Sequence, residues 1–185
     1  MQAVVRGSGD EVAMTEAPVI ETERLVLRAH RVEDFPACAA MWAAPEVVRH
    51  ITGRPSTGEE AWARLLRYAG HWALLGFGYW AIEEKESGRF AGEAGFADYK
   101  RAIELAFKDA PEIGWVVAPW AQGRGYATEA VRAVVTWGDR HLAATRTWCM
   151  VAPEHRASIR VAEKCGYQEA ARTTYKGEPA LVLAR

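Results

Sequence analysis

The chain has 185 residues, 50% of them hydrophobic and 25% charged, with a formal net charge of −1. That length suits one domain with a buried core, and the near-neutral balance offers no bulk attraction to nucleic acid or to an anionic membrane. Cys38, Cys149 and Cys165 are odd in number and lack C-x-x-C spacing, which argues against a disulfide framework or a zinc site, fits a reducing cytoplasm and leaves no metal expected. No apolar run approaches the ~20 residues of a membrane span, and the N-terminus lacks the apolar core of a secretory leader.

Residues 1–18 mix Gly, Ser and charge without a period and are expected to form a flexible tail ahead of a single domain at 19–185. Over 21–28 Leu25 and Leu27 alternate with Arg24, Val26 and Arg28, the pattern of a half-buried strand. Phe35, Cys38, Met41 and Trp42 then recur at helical spacing, and Pro45 ends or restarts that helix. Ser56 or Thr57 caps a second helix with Glu59 and Glu60 in its first turn; Trp62, Leu65, Leu66, Ala69 and Trp72 share one face, and Gly76 and Gly78 stop it. The period changes to two at 77–84 and 90–99, strands joined by a turn at 86–88, with Gly92 and Gly95 inside the second.

Residues 109–130, DAPEIGWVVAPWAQGRGYATEA, organise the rest. Glu112 to Val117 is a strand framed by Pro111 and Pro119. Gln122-Gly123-Arg124-Gly125-Tyr126-Ala127 follows, two glycines that allow positive φ and close approach to bare backbone. A helix over about 128–142 comes next, with Ala127, Ala130, Val131, Val134, Gly138 and Leu142 on one stripe. A strand leading through such a turn into a helix N-terminus is an anion site, and diphosphate is its natural guest. A buried strand at 146–151, a short helix at 155–165 closed by Gly166 and a hairpin around 176–178 complete the chain. The order β α α β β β α β α β β supports an α/β (α+β) fold, a mixed and mostly antiparallel sheet of about seven strands with helices on both faces. A dinucleotide-binding reading is remote, because the turn lacks the three-glycine fingerprint.

Several motifs together resemble the GNAT superfamily of acyl-CoA N-acyltransferases. They are T-E-R-L-x-L-R at 22–28, GYW-x-I at 78–82, G-x-x-G-F at 92–96, E-I-G-W at 112–115, QGRGYATEA at 122–130 and S-I-R-V-A-E-K-C-G-Y at 158–167. The branch they resemble is RimJ/RimL-like, that of the ribosomal-protein N-terminal acetyltransferases. The resemblance spans about 22–185 and implies acetyl-CoA as co-substrate and an amine acceptor, either a protein N-terminus or a small molecule. A homodimer is as compatible with it as a monomer.

The resemblance also implies roles for residues. Trp115, Val116 and Val117 would pair with pantetheine through their backbone, and a bulge seated near Gly114 would free an N–H for the acetyl carbonyl. Gln122, Gly123, Arg124, Gly125, Tyr126 and Ala127 would hold the pyrophosphate, although Arg124 could equally face solvent. Glu112 would be the general base, directly or through water, or else an edge carboxylate; Glu93 and Asp98 are weaker candidates. Many members carry a late-helix tyrosine as the acid, and here that place is Ala162. Ser158 keeps the position that the branch uses to meet the coenzyme sulfur, unless it only caps the helix. His155 stands where the branch has Asn, so coenzyme binding would weaken at low pH unless the position tolerates any cap. Trp42, His71, Trp72, Tyr79, Trp80, Trp115 and Tyr175 lie in or near the elements that flank the acceptor. Loss of the Asn and of the tyrosine also leaves open a non-catalytic acyl-CoA-binding module.

Overall fold

In the computed structural model, which describes residues 15–185, the first expected strand is two: β1, Ile20–Glu21, and β2, Leu25–Arg28. Thr22 turns the chain between them, its N–H donating to the Leu25 carbonyl and its hydroxyl oxygen accepting from the Leu25 N–H. Residues 1–14 of the expected tail lie outside the described residues. The end of that stretch is held down: Ala17 is buried, and the Pro18 carbonyl accepts the indole N–H of Trp80 at 2.7 Å.

A 3-10 turn leads into α1, Phe35–Ala43, and Pro45 restarts the chain as α2, Pro45–Val48. The next helix, α3, is Gly58–Leu75. Thr57 caps it in a reciprocal box with Glu60, and Gly76 ends it at φ +70°. Its buried face is rotated from the expected one and shares with it Leu65 and Trp72. Ala61, Leu65, Tyr68, His71 and Trp72 point inward, while Leu66 is half exposed and Ala69 is exposed. The surface that α3 meets explains the rotation. Tyr68 stacks on Tyr79 with ring centroids 4.4 Å apart, and His71 meets the edge of Tyr99, so polar-tipped rings are buried in preference to aliphatic ones.

The remaining strands are β3, Tyr79–Glu84; β4, Phe90–Ala97; β5, Glu112–Val117; β6, Trp148–Val151; β7, Gln168–Tyr175; and β8, Glu178–Ala184. Helix α4, Tyr126–His141, follows β5, and α5, Arg156–Lys164, follows β6. They form one eight-stranded sheet in the order β1-β2-β3-β4-β5-β6-β8-β7, with two-residue β1 as the extra strand. Every neighbouring pair is antiparallel except β5–β6.

Alternation along the strands separates two faces. Trp80, Ile82, Phe96 and Ile113 pack with Ala130, Val131 and Val134 of α4. Trp72, Trp80 and Trp137 meet edge to face there, with centroids 4.7 to 5.4 Å apart. Truncating the fully buried Trp80 at this junction would cost ~3–5 kcal/mol. On the other face Val116 packs with Cys38, Met41, Trp42, Val47 and Val48 of α1 and α2.

Candidate active site

Two parallel strands that part company make the cleft. β5 and β6 pair only at Glu112↔Trp148, next to a Trp148 N–H to Pro111 carbonyl bond. Beyond that point β5 runs to Val117 with its β6-side edge unpaired, while its other edge stays in register with β4 from Glu112↔Ala97 to Gly92↔Val117. The Ala118 N–H donates to the Ala91 carbonyl, so by antiparallel alternation the backbones of Val116 and Gly114 also face β4. Those of Trp115 and Val117 therefore face the gap. The side chain of Val116 lies in the α1–α2 core, so of the three expected pantetheine residues two present backbone to the cleft and one does not.

The register of β5 is continuous, which corrects the bulge expected near Gly114; the irregularity lies instead between β3 and β4 at Ile82/Glu83. Gly114 has another use. A Cβ there would fall 2.0 Å from the hydroxyl of Tyr79, so this glycine lets the Tyr79 phenol reach from β3 across to β5.

Because β5 and β6 are parallel, the helices that follow them begin at the same end of the gap. At the first mouth Gly123 and Gly125 have φ of +75° and +81°, and Gly125 caps α4. The first α4 bond to the cap is Glu129 N–H to the Gly125 carbonyl, which leaves the N–H groups of Tyr126, Ala127 and Thr128 without helical partners. Nothing lies within 4 Å of a Cβ placed on Gly123, and Gln122, Gly123, Arg124 and Gly125 are exposed. Arg124 extends beside Trp120 and lies 3.7 Å from Glu84. Tyr126 is buried and donates its hydroxyl to Glu84, and Ala127 is half-buried, so these two offer backbone.

The turn is braced from outside by residues that the sequence reading did not assign. Arg24 donates through Nε to Glu129 and through Nη1 to the Arg124 carbonyl, and Glu129 also accepts from the Arg24 N–H and the Thr22 hydroxyl. Two of the motifs that carry the family resemblance, TERL and ATEA, are thus bonded to each other.

At the second mouth His155 caps α5, with its ring stacked on His50 at 4.7 Å, and Ser158 Oγ lies 3.5 Å from His155 Nε2. Burial and the neighbouring His50 hold the His155 imidazole below its ordinary pKa. Ala162 is fully buried against α4 and the sheet.

Glu112, at the closed end of the gap, is 6% exposed. Arg101 grips both its oxygens, Nε to Oε2 at 2.5 Å and Nη2 to Oε1 at 2.7 Å. Burial raises the carboxyl above its usual range despite the opposing pull of that guanidinium. Glu93 is wholly buried and accepts from Cys38, from Trp42 and from His30. Asp98 is partly buried and paired with Lys100 at 2.6 Å. Tyr79, Tyr99 and Tyr175 surround the Glu112–Arg101 pair, whereas Trp42, Trp72 and Trp80 are core. A separate groove of about 590 Å³ between α5 and β7–β8 shares no lining residue with these groups. Among the described residues no cluster of metal-ligating side chains occurs, and no helix is long and apolar enough to cross a membrane.

Residues 24–168 match the family model of the acetyltransferase (GNAT) domain. The chain belongs to the GNAT family and is an acetyltransferase. It is 28% identical to the uncharacterised N-acetyltransferase YoaA of Bacillus subtilis over 82% of this chain and 84% of that one. A GnaT-family acetyltransferase structure from Bordetella pertussis superposes with a TM-score of 0.80 at 31% identity, covering 91% of this chain and 99% of that one. RimL, a ribosomal L7/L12 α-N-protein acetyltransferase solved with coenzyme A, shares the fold with a TM-score of 0.73 at 19% identity, over 91% and 97% of the two chains.

Proposed function

We propose that the protein is an acetyl-CoA-dependent N-acetyltransferase for primary amines, with a protein N-terminal amine as the preferred acceptor. The observation that carries this reading is the parting of β5 from β6, opening between two helix N-termini with a bare glycine turn at one of them. Pantetheine would pair along Trp115 and Val117, and the pyrophosphate would sit on the N–H groups from Gln122 to Ala127 with Arg124 adding charge. Glu112 takes a proton from the acceptor ammonium. The amine nitrogen then attacks the thioester carbonyl, the C–N bond forms, and the C–S bond breaks as the nitrogen releases its second proton to balance the one that the thiolate gains. The sulfur leaves as a thiolate that Ser158 Oγ–H meets and that collects its proton from the site or from solvent.

The RimL likeness favours a protein acceptor, whereas the tyrosines around Glu112 would also suit a small amine. Thiol release from acetyl-CoA, measured with peptides bearing a free N-terminus and with small primary amines, separates these two. Absence of release with both groups, together with retained coenzyme binding, would leave a binding module instead. The coenzyme site has its own test. Gly125→Val puts a β-branched residue at φ +81° with its Cβ 3.4 Å from Arg24 Nη2. The expected result by calorimetry is a loss of coenzyme A affinity of at least tenfold, and unchanged affinity would remove the turn from the site.

A further inference from the structure

We propose that Arg101 is a positioning residue for acetyl transfer: it keeps the buried Glu112 carboxylate paired in the free enzyme, and the acceptor ammonium displaces it. The inference rests on Glu112 receiving the acceptor's proton, and it adds a residue that the transfer chemistry itself does not name.

Arg101 belongs to neither strand of the site. It lies in the irregular connection 98–111 between β4 and β5, while Glu112 is the first residue of β5. Its guanidinium reaches back to both carboxylate oxygens and lies between two phenol rings, 4.7 Å from the centroid of Tyr99 and 4.9 Å from that of Tyr175. One side chain therefore ties the connection to β5 and to the tip of the β7–β8 hairpin. The titratable groups close to the Glu112–Arg101 pair are otherwise uncharged phenols, Tyr79 from β3, Tyr99 from the connection and, through Arg101, Tyr175 from β7, and the β6 residue in register with Glu112 is Trp148. Among the described residues Arg101 is the one cation bonded to Glu112.

A buried carboxylate without a counter-ion is costly and holds its proton, which would make it useless as a base in the resting enzyme. Arg101 offsets part of that difficulty and creates another, because both carboxylate oxygens are occupied. A primary ammonium arriving at the gap carries the same charge and the same donors. It can replace the guanidinium without leaving the carboxylate bare, after which Glu112 accepts a proton from it. Arg101 lies on a segment outside the sheet ladders, so its side chain can withdraw without breaking strand pairing.

The test uses the full chain labelled with carbon-13 at the glutamate carboxyls, with the Glu112 resonance assigned by its loss in Glu112→Gln. In Arg101→Gln that resonance is expected to titrate about one to three pH units higher than in the wild type. Arg101→Lys, which keeps a charge but not the fork, should move it upward by less, and this variant serves if the glutamine form does not fold. In thiol-release assays with a peptide amine, the acid limb of kcat/KM should follow the same order. Above that limb, KM for the amine should fall in Arg101→Gln because its competitor is gone. An unmoved Glu112 titration in both variants, or a higher amine KM at unchanged titration, overturns the proposal. The base reading fails separately, if Glu112→Gln itself keeps the wild-type pH profile.

Discussion

Two carboxylates stand on the same face of neighbouring strands, and their pockets are built differently. Glu93 on β4 is filled from fixed positions: Cys38 Sγ–H at 3.1 Å and Trp42 Nε1–H at 3.0 Å from α1, and His30 at 3.3 Å from just beyond β2. Burial pushes its pKa up, and these three partners, His30 foremost, bring it below the ordinary carboxylate value. Glu112 on β5 has one partner on an irregular segment, and burial wins. Equal burial does not give equal roles. On the proposed reading, a carboxylate saturated by donors from α1 and from just beyond β2 is part of the frame, and one held by a single cation on an irregular segment is left to do chemistry.

The largest effect that would sharpen this contrast is on rate. Glu112→Gln should lower turnover by ~10²–10⁴, the usual share of a general base, while moving the thermal midpoint only a few degrees. Glu93→Ala should do the reverse. It strands three donors in the core and should cost ~3–5 kcal/mol of stability, with coenzyme A affinity of the folded fraction unchanged by calorimetry. Equal loss of turnover in a folded Glu93→Gln protein would break the comparison.

Stability against pH separates the pair with opposite signs. Folded Glu93 has a pKa below the reference 4.5, so its contribution is complete above that value and is lost as pH falls through the folded one. Folded Glu112 has a raised pKa, so the native state holds the extra proton, and stability falls as pH climbs from 4.5 toward the folded value. Urea melts on both sides of pH 4.5, each compared with the matching Gln variant, should show the Glu93 difference shrinking as pH drops below 4.5 and the Glu112 difference shrinking as pH climbs above it. Parallel curves would mean that the two pockets are electrostatically alike.

How much of this was legible in the sequence follows from range. The strand runs from Glu112 to Val117 as expected because two prolines and a β-branched run specify it locally. The glycine turn is equally local, since positive φ is written into the residue type. In helix α3 the pattern finds Leu65 and Trp72 but misses Tyr68 and His71, which count as polar in a periodic pattern and are made complementary only by the rings of Tyr79 and Tyr99. Arg24 and Glu129 both sat in quoted motifs, but their bond spans 105 residues and nothing in either motif announces it. Arg101 lies in an aperiodic connection, where the one signal was an unassigned cation eleven positions before a candidate base.

The smallest expected effect tests whether burial and a neighbouring imidazole, against the weaker pull of Glu154, shape a site residue. His155 is half-buried and stacked on His50, and burial and that neighbour both depress its pKa below 6.5. Its imidazole is then biased toward the neutral form, which moves the loss of coenzyme binding expected at low pH further down the pH scale. His155→Asn should therefore change the Michaelis constant for acetyl-CoA by less than about threefold, roughly 0.6 kcal/mol, between pH 7 and 8. A difference should open only below pH 6.5, where the wild type alone gains charge at the second mouth. The same sign governs folding: the unfolded chain binds that proton first, so wild-type stability relative to His155→Asn declines as pH drops through 6.5. A wild-type Michaelis constant that already varies between pH 7 and 8, and flattens in the variant, would show that His155 is charged when coenzyme binds and that the His50 stack does not keep it neutral.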